Sequence, residues 1–162
     1  RDSISSNRKN VASTLLFEIL SERLKPKTPV LSYASINSEV STSSVNQWLL
    51  SEGRLVLPKI TDQGLKTYRV LKLNDLERGS YQIPEPKSSC EEIDLEKLPT
   101  VLLPGLAFDT RGVRLGYGKG HYDTLLATFS GLKLGIAYVE QKSSEPLPKE
   151  ERDVLMDEVL WV

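Results

Sequence analysis

Leu103-Pro104-Gly105-Leu106-Ala107-Phe108-Asp109 leads, after a short spacer, into Arg114-Leu115-Gly116-Tyr117-Gly118-Lys119-Gly120-His121-Tyr122-Asp123. The stretch reads as a buried strand, a glycine-rich loop and the start of a helix. Gly116, Gly118 and Gly120 alternate with larger residues. Glycine adopts backbone angles closed to other residues and lets the main chain approach a ligand. Successive N–H groups in such a loop form a nest for anions, and a helix starting just beyond it adds the positive end of its dipole. Arg114 and Lys119 bring full positive charge to the same place, so a phosphate chain is the simplest ligand. A G-x-G-x-G run is neither the P-loop nor the dinucleotide pattern, and a tight surface turn would also account for the glycines. Such a turn has no need of the cations, aromatic ring and carboxylate found here within ten positions.

Outward from this stretch, helices and strands alternate. Residues 7–24 read as a helix, with Val11, Leu15, Leu16, Ile19 and Leu20 forming an apolar stripe that stops at Pro26 and Pro29. Residues 30–36 read as a strand, followed by the polar turn Asn37-Ser38-Glu39. Ser41 or Thr42 then caps a second helix that turns Val45, Trp48 and Leu49 inward and ends at Gly53. Residues 54–60 form a second strand, 62–64 a turn and 67–73 a third strand whose partial alternation suits an edge. The chain is least regular over 74–98, where Pro84 and Pro86 enforce extension. Residues 100–103 lack a polar face and belong in the centre of a sheet. A helix over 121–129, a buried strand over 134–139, a polar link over 140–149 and an apolar segment over 159–162 complete the chain. This order predicts an α/β fold: a three-layer sandwich with a mostly parallel central sheet flanked by helices. Ligands of such sheets sit beyond the carboxyl ends of the strands, where the opening stretch lies.

A chain of 162 residues matches one domain at about 150 residues per domain. A formal net charge of −1 gives no general attraction to nucleic acid or to a membrane surface, so any basic site is local and the expected partner is a small molecule. Cys90 is the single cysteine, which excludes an intramolecular disulfide and suits a cytoplasmic setting. His121 is the single histidine, so it cannot build a metal cluster of its own kind. No signal-peptide pattern and no apolar run of membrane-spanning length is present.

Taken together, the residues resemble the 5-formyltetrahydrofolate cyclo-ligase (methenyltetrahydrofolate synthetase) family. The central pattern is similar to residues 104–109, a spacer, residues 114–120 and the ending Tyr122-Asp123. Outside it, Ser38-Glu39-Val40-Ser41-Thr42, Val56-Leu57-Pro58-Lys59, Ile83-Pro84-Glu85-Pro86, Leu147-Pro148, Asp153 and Asp157-Glu158-Val159 resemble family features in the same order. The resemblance implies conversion of 5-formyltetrahydrofolate with ATP and magnesium to 5,10-methenyltetrahydrofolate, ADP and phosphate. It implies ATP binding by Arg114, Leu115, Gly116, Tyr117, Gly118, Lys119, Gly120, His121 and Tyr122, with Lys119 and Tyr122 as catalytic residues. It implies folate contact by Glu39 and Tyr122, magnesium ligation by Asp123 and Asp153, and a cytoplasmic, monomeric enzyme. Two departures stand out. His121 takes the place of an aromatic residue, usually Tyr, and the family's basic N-terminal head has no counterpart before Arg1, so a missing head is the expectation for a domain spanning 1–162. A folate- or nucleotide-binding protein without turnover, and a sugar-phosphate isomerase on a similar fold, are the alternative readings. The isomerase gives Glu39 and Asp153 no shared purpose.

Overall fold

Ser5 opens the first helix, α1 (Ser6–Arg23), by accepting the Arg8 N–H on its side chain at 3.3 Å. The computed structural model describes residues 4–36, 38–79 and 82–162. Asn37 of the expected polar turn, and Arg1, before which the missing head was expected, lie outside them. Ala12, Leu16 and Leu20 form the buried stripe of α1, whereas Val11 and Leu15 are exposed. Consecutive helical residues are about 100° apart. A stripe set by residues four apart therefore turns both side chains one position before it off the sheet.

β1 (Val30–Leu31) is shorter than the expected 30–36 strand. The Tyr33 carbonyl explains this. It accepts Thr42 Oγ1–H at 2.6 Å and an Asn46 Nδ2–H at 2.9 Å, so it turns away from the strand ladder. Thr42, with its hydroxyl committed there, precedes α2 (Ser43–Ser51) without a side-chain cap bond. β2 (Leu55–Thr61) and β3 (Gly64–Arg69) form an antiparallel hairpin, and β4 (Leu76–Arg78) and β5 (Pro84–Pro86) form a separate ribbon. β6 (Thr100–Pro104), β7 (Ala107–Phe108), β8 (Arg114–Leu115), α3 (His121–Leu126), β9 (Leu132–Ala137) and β10 (Glu158–Trp161) follow. The expected helix over 121–129 ends as a turn, with Phe129 N–H donating to Leu126 O at 3.0 Å.

Six strands build the main sheet in the order β10-β9-β6-β1-β2-β3. All neighbours are parallel except the β2–β3 edge pair. Register places Val30 against both Leu55 and Thr100, and Leu102 against Leu134. Successive side chains point to opposite faces, and both faces are covered. Val30, Leu55, Leu57, Leu102, Leu134, Ile136 and Leu160 pack with α1 and α2, where Phe17 meets Trp48 edge-on at 5.9 Å. Leu31, Val56, Val101, Leu103 and Ala137 pack with Phe108, Leu126, Phe129 and Met156. Burial on two faces explains why 100–103 carries no polar alternation. Among the described residues the second cover has one short α-helix, α3, and the rest comes from Phe108, Phe129, Met156 and the segment over 93–98, which includes a 3-10 turn at Leu95–Lys97. No helix among the described residues is long and apolar enough to cross a membrane.

The β7–β8 hairpin stands between β6 and the glycine loop, an element the sequence reading did not separate. Asp109 organises it. Its buried carboxylate accepts the N–H groups of Arg111, Val113 and Leu147 at 2.9, 3.0 and 3.0 Å, and both Nε and Nη2 of Arg111 at 2.9 and 2.7 Å. Burial pushes this carboxyl up, but the bonds from Arg111, Leu147 and Val113 outweigh it and hold its pKa down at about 2. Arg111 also donates to Leu147 O at 2.7 Å, and Met156 N–H donates to Gly112 O at 2.9 Å. The C-terminal run is thereby tied to the hairpin. Asp109→Asn is expected to lower stability in urea unfolding by about 2 kcal/mol, the scale of hydrogen bonds to a charged group. The folded pKa is depressed, so the native contribution of Asp109 is present above its ordinary value of 3.8 and disappears as pH falls through about 2. Acid titration of wild type and variant should therefore converge at low pH.

Candidate functional site

The chain leaves β1 through α2 toward β2, and leaves β6 through α3 toward β9, in the opposite direction along the sheet. The crevice between the carboxyl ends of β1 and β6 is thus the topological switch point, where open α/β sheets bind ligands. The segment after β1 carries Glu39; the segment after β6 carries the β7–β8 hairpin, the glycine loop and α3.

Arg114, on β8, is the centre of the second segment. Its Nη2 donates to Asp123 Oδ2 at 3.0 Å, and its guanidinium lies 5.5 Å from the Tyr122 ring centroid. Its side chain is only 7% exposed, and its buried Nε has no hydrogen-bond partner among the described residues. A buried guanidinium N–H without an acceptor is costly and suits an anionic ligand. Tyr122 is pushed up from its ordinary pKa by burial first and then by the Glu39 carboxylate, against the opposing pull of Arg114. Its phenol is therefore a neutral hydrogen-bonding group at neutral pH and not a base. Glu39 is buried, and its Oε2 accepts the Ile36 N–H at 2.9 Å. Tyr122 thus experiences the charge of Glu39 from one segment and of Arg114 from the other.

Two of the three loop glycines have the backbone the sequence implied, whereas Gly116 does not adopt positive φ. Gly118 and Gly120 lie at φ +79° and +63°, in the left-handed region that favours glycine. A Cβ at Gly116 would come within 2.8 Å of an Arg114 guanidinium nitrogen. Leu115, Tyr117, Gly118, Lys119 and Gly120 are exposed, and His121 and Tyr122 are half-buried at the start of α3. With six residues, α3 contributes less dipole than the expected nine-residue helix, because the dipole is a sum over aligned peptides.

Asp123 and Asp153 are brought into one neighbourhood. The other Asp123 carboxylate oxygen, Oδ1, accepts the Val154 N–H at 3.2 Å, directly after Asp153. Asp153 Oδ2 accepts the Glu150 N–H at 2.7 Å. Among the described residues no group of three or more His, Cys, Asp or Glu side chains is placed to hold a metal. A pair of carboxylates fits magnesium, which keeps waters and takes further oxygens from substrate phosphates. It does not fit an all-protein cage.

Several organising residues were not singled out from the sequence. Gln141 is buried in the link read as merely polar. Its Nε2 donates to Gly105 O and Leu106 O at 2.8 and 3.0 Å, and its Oε1 accepts the Tyr138 N–H at 2.9 Å. It ties the strap after β6 to the end of β9. Tyr138 and Tyr33, both buried, donate to the carbonyls of Glu39 and Val40. No helix or strand period marks these three, because their partners lie in irregular chain, and those of Tyr138 and Gln141 include groups 99, 36 and 35 residues away.

The family model described as the 5-formyltetrahydrofolate cyclo-ligase family matches residues 1–162. The chain is 39% identical over 101 residues to 5-formyltetrahydrofolate cyclo-ligase of Saccharomyces cerevisiae, covering 57% of this chain and 44% of that one. It is 32% identical over 136 residues to the Haemophilus influenzae protein of the same name, covering 79% of this chain and 72% of that one. A solution NMR structure of Aquifex aeolicus 5,10-methenyltetrahydrofolate synthetase superimposes with a TM-score of 0.86 at 34% identity, covering 96% of this chain and 80% of that one.

Proposed function

The chain belongs to the 5-formyltetrahydrofolate cyclo-ligase family, and on that premise we propose that it uses ATP to close 5-formyltetrahydrofolate to 5,10-methenyltetrahydrofolate, releasing ADP and phosphate. The residue assignment is supported by the Arg114–Asp123 bond beside the Tyr122 ring in the segment after β6, with the buried Glu39 carried by the segment after β1 on the other side of the switch point. A folate needs an acceptor for its ring N–H groups, and a moving phosphoryl group needs fixed positive charge.

The formyl oxygen is a poor leaving group. Transfer of the terminal ATP phosphoryl group to it makes a phosphate ester. The second amine of the folate then attacks the formyl carbon and gives up its proton, and phosphate leaves with that oxygen as the ring closes. The protein positions the reactants and stabilises charge. In this reading the loop of Arg114, Leu115, Gly116, Tyr117, Gly118, Lys119, Gly120 and His121 holds ATP, with Arg114 and Lys119 supplying charge to its phosphates. Glu39 accepts hydrogen bonds from the pterin. Tyr122, neutral and between Glu39 and Arg114, stands at the junction of folate and phosphate. Asp123 and Asp153 hold magnesium, which supplies charge neutralisation on the phosphates when bound. The Arg114–Asp123 pair keeps the guanidinium oriented and shares its charge with the incoming anion. His121 fills the position of the family's aromatic residue, where it retains a planar ring. The reading is completed by a cytoplasmic monomer, in line with the single cysteine.

Absorbance-monitored formation of methenyltetrahydrofolate from 5-formyltetrahydrofolate, with and without Mg-ATP, tests the function. Product that requires ATP is expected; folate binding without ATP-dependent product would move the chain to the non-catalytic reading. Lys119→Ala is expected to weaken ATP binding at least tenfold while leaving folate binding within about twofold, on the scale of one charge-assisted bond; equal losses in calorimetry would remove the loop from phosphate binding. Asp153→Asn should raise the magnesium concentration needed for half-maximal rate, because it deletes an anionic ligand. An unchanged magnesium titration would exclude that role.

A further inference from the structure

Glu39 sits on chain that belongs to no strand or helix, yet a substrate-contacting carboxylate has to be held firmly. The chain between β1 and α2 is fixed at two successive carbonyls. Tyr138, just past β9, donates its phenol to Glu39 O at 3.2 Å, and Tyr33, just past β1, donates to Val40 O at 3.1 Å. Both phenols are buried, at 0% and 2% exposure, so neither bond competes with water. The backbone of each tyrosine is itself held. Gln141 Oε1 accepts the Tyr138 N–H, and the same Gln141 side chain donates to Gly105 O and Leu106 O on the phosphate side of the crevice. Thr42 and Asn46 hold the Tyr33 carbonyl. Two successive peptide units, Glu39–Val40 and Val40–Ser41, are each held at the carbonyl, which leaves that part of the loop little freedom, and the acid is held at its own carbonyl.

We propose that Tyr138, supported by Tyr33, is a positioning residue for the folate: its phenol holds the Glu39 carbonyl and so aims the Glu39 carboxylate at the substrate ring. The inference rests on the reading of Glu39 as the folate acceptor. Tyr138 follows β9, the fourth main-sheet strand after β1 in chain order, but is a near neighbour in space, since β9 and β1 both flank β6. The phenol therefore couples the folate side of the crevice to the strap after β6 through Gln141.

Binding of 5-formyltetrahydrofolate and of Mg-ATP to the full chain, measured by calorimetry, tests it with Tyr138→Phe, Glu39→Gln and the double variant. Tyr138→Phe keeps the ring and removes only the hydroxyl. It is expected to weaken folate binding about fivefold while ATP binding stays within twofold. The double variant should bind folate no more weakly than Glu39→Gln alone, because Tyr138 acts through Glu39. Tyr33→Phe should show the same selectivity and serves if Tyr138→Phe does not fold. A hydroxyl that only stabilised the fold would lower the melting temperature and leave the ratio of the two affinities unchanged, which would overturn the proposal. So would a double variant with the full product of the two single losses. If Glu39→Gln itself leaves folate binding unchanged, the reading of Glu39 fails and the proposal falls with it. If Glu39→Gln weakens binding and Tyr138→Phe does not, only the proposal fails.

Discussion

The carboxylate of Asp109 is the constraint from which the site is assembled. Five donors converge on its two oxygens, from the hairpin turn itself and from Leu147. A buried carboxylate is tolerable only when its oxygens are this well satisfied. The consequence is geometric. The β7–β8 hairpin cannot hinge without breaking bonds to a buried charge, and residues 147–156 cannot drift from it. Arg114 on β8 and Asp153 on that C-terminal run are therefore both referred to one anchor, although neither touches it.

Phe108 supplies the apolar counterpart. It is fully buried and meets Trp161 edge-on at 6.3 Å. A Cβ at Gly105 or at Gly135 would approach its ring to 2.7 Å. Two glycines on different segments thus leave the space that one large ring fills, and the hairpin is pressed onto the sheet ahead of the glycine loop. Dense packing of this kind transmits position. It explains how a loop with exposed residues such as Tyr117 and Lys119 can still begin from a fixed Arg114.

Across the crevice the burden falls on polar groups. Glu39 is placed by hydrogen bonds to its backbone and carboxylate from Tyr138 and Ile36, while the sheet contributes the two tyrosines' anchorage. The two sides are joined through the side chain of Gln141, which bonds to three backbone groups. Family membership and the switch-point geometry lead to the same crevice by separate routes. One comes from the order of residue types along the chain, the other from the direction in which the chain leaves β1 and β6.

Much of this was legible in the chain before folding. The alternation of helices and strands, the 100–103 segment without a polar face, the edge character of the third strand and the positive φ of Gly118 and Gly120 follow from local rules, because periodicity and steric freedom are properties of neighbours in sequence. The candidate residues of the glycine loop, Glu39 and the two aspartates were legible as residue types in a familiar order. Which side of α1 faces the sheet was misjudged at Val11 and Leu15, since two adjacent apolar rows were both available and only the sheet selects between them. The shortening of β1, the β7–β8 hairpin and the parts played by Asp109, Gln141, Tyr33 and Tyr138 were not legible. Asp109, Gln141 and Tyr138 depend on hydrogen bonds between groups far apart in the chain, as between Tyr138 and Glu39 or Asp109 and Leu147, whereas Tyr33, the end of β1 and the hairpin depend on nearer loop pairings that follow no helix or strand period. The sequence by itself determined the layers and the chemistry available at the crevice. The tertiary structure alone decided which buried polar groups satisfy one another, because that choice is made only when distant strands bring donor and acceptor within reach.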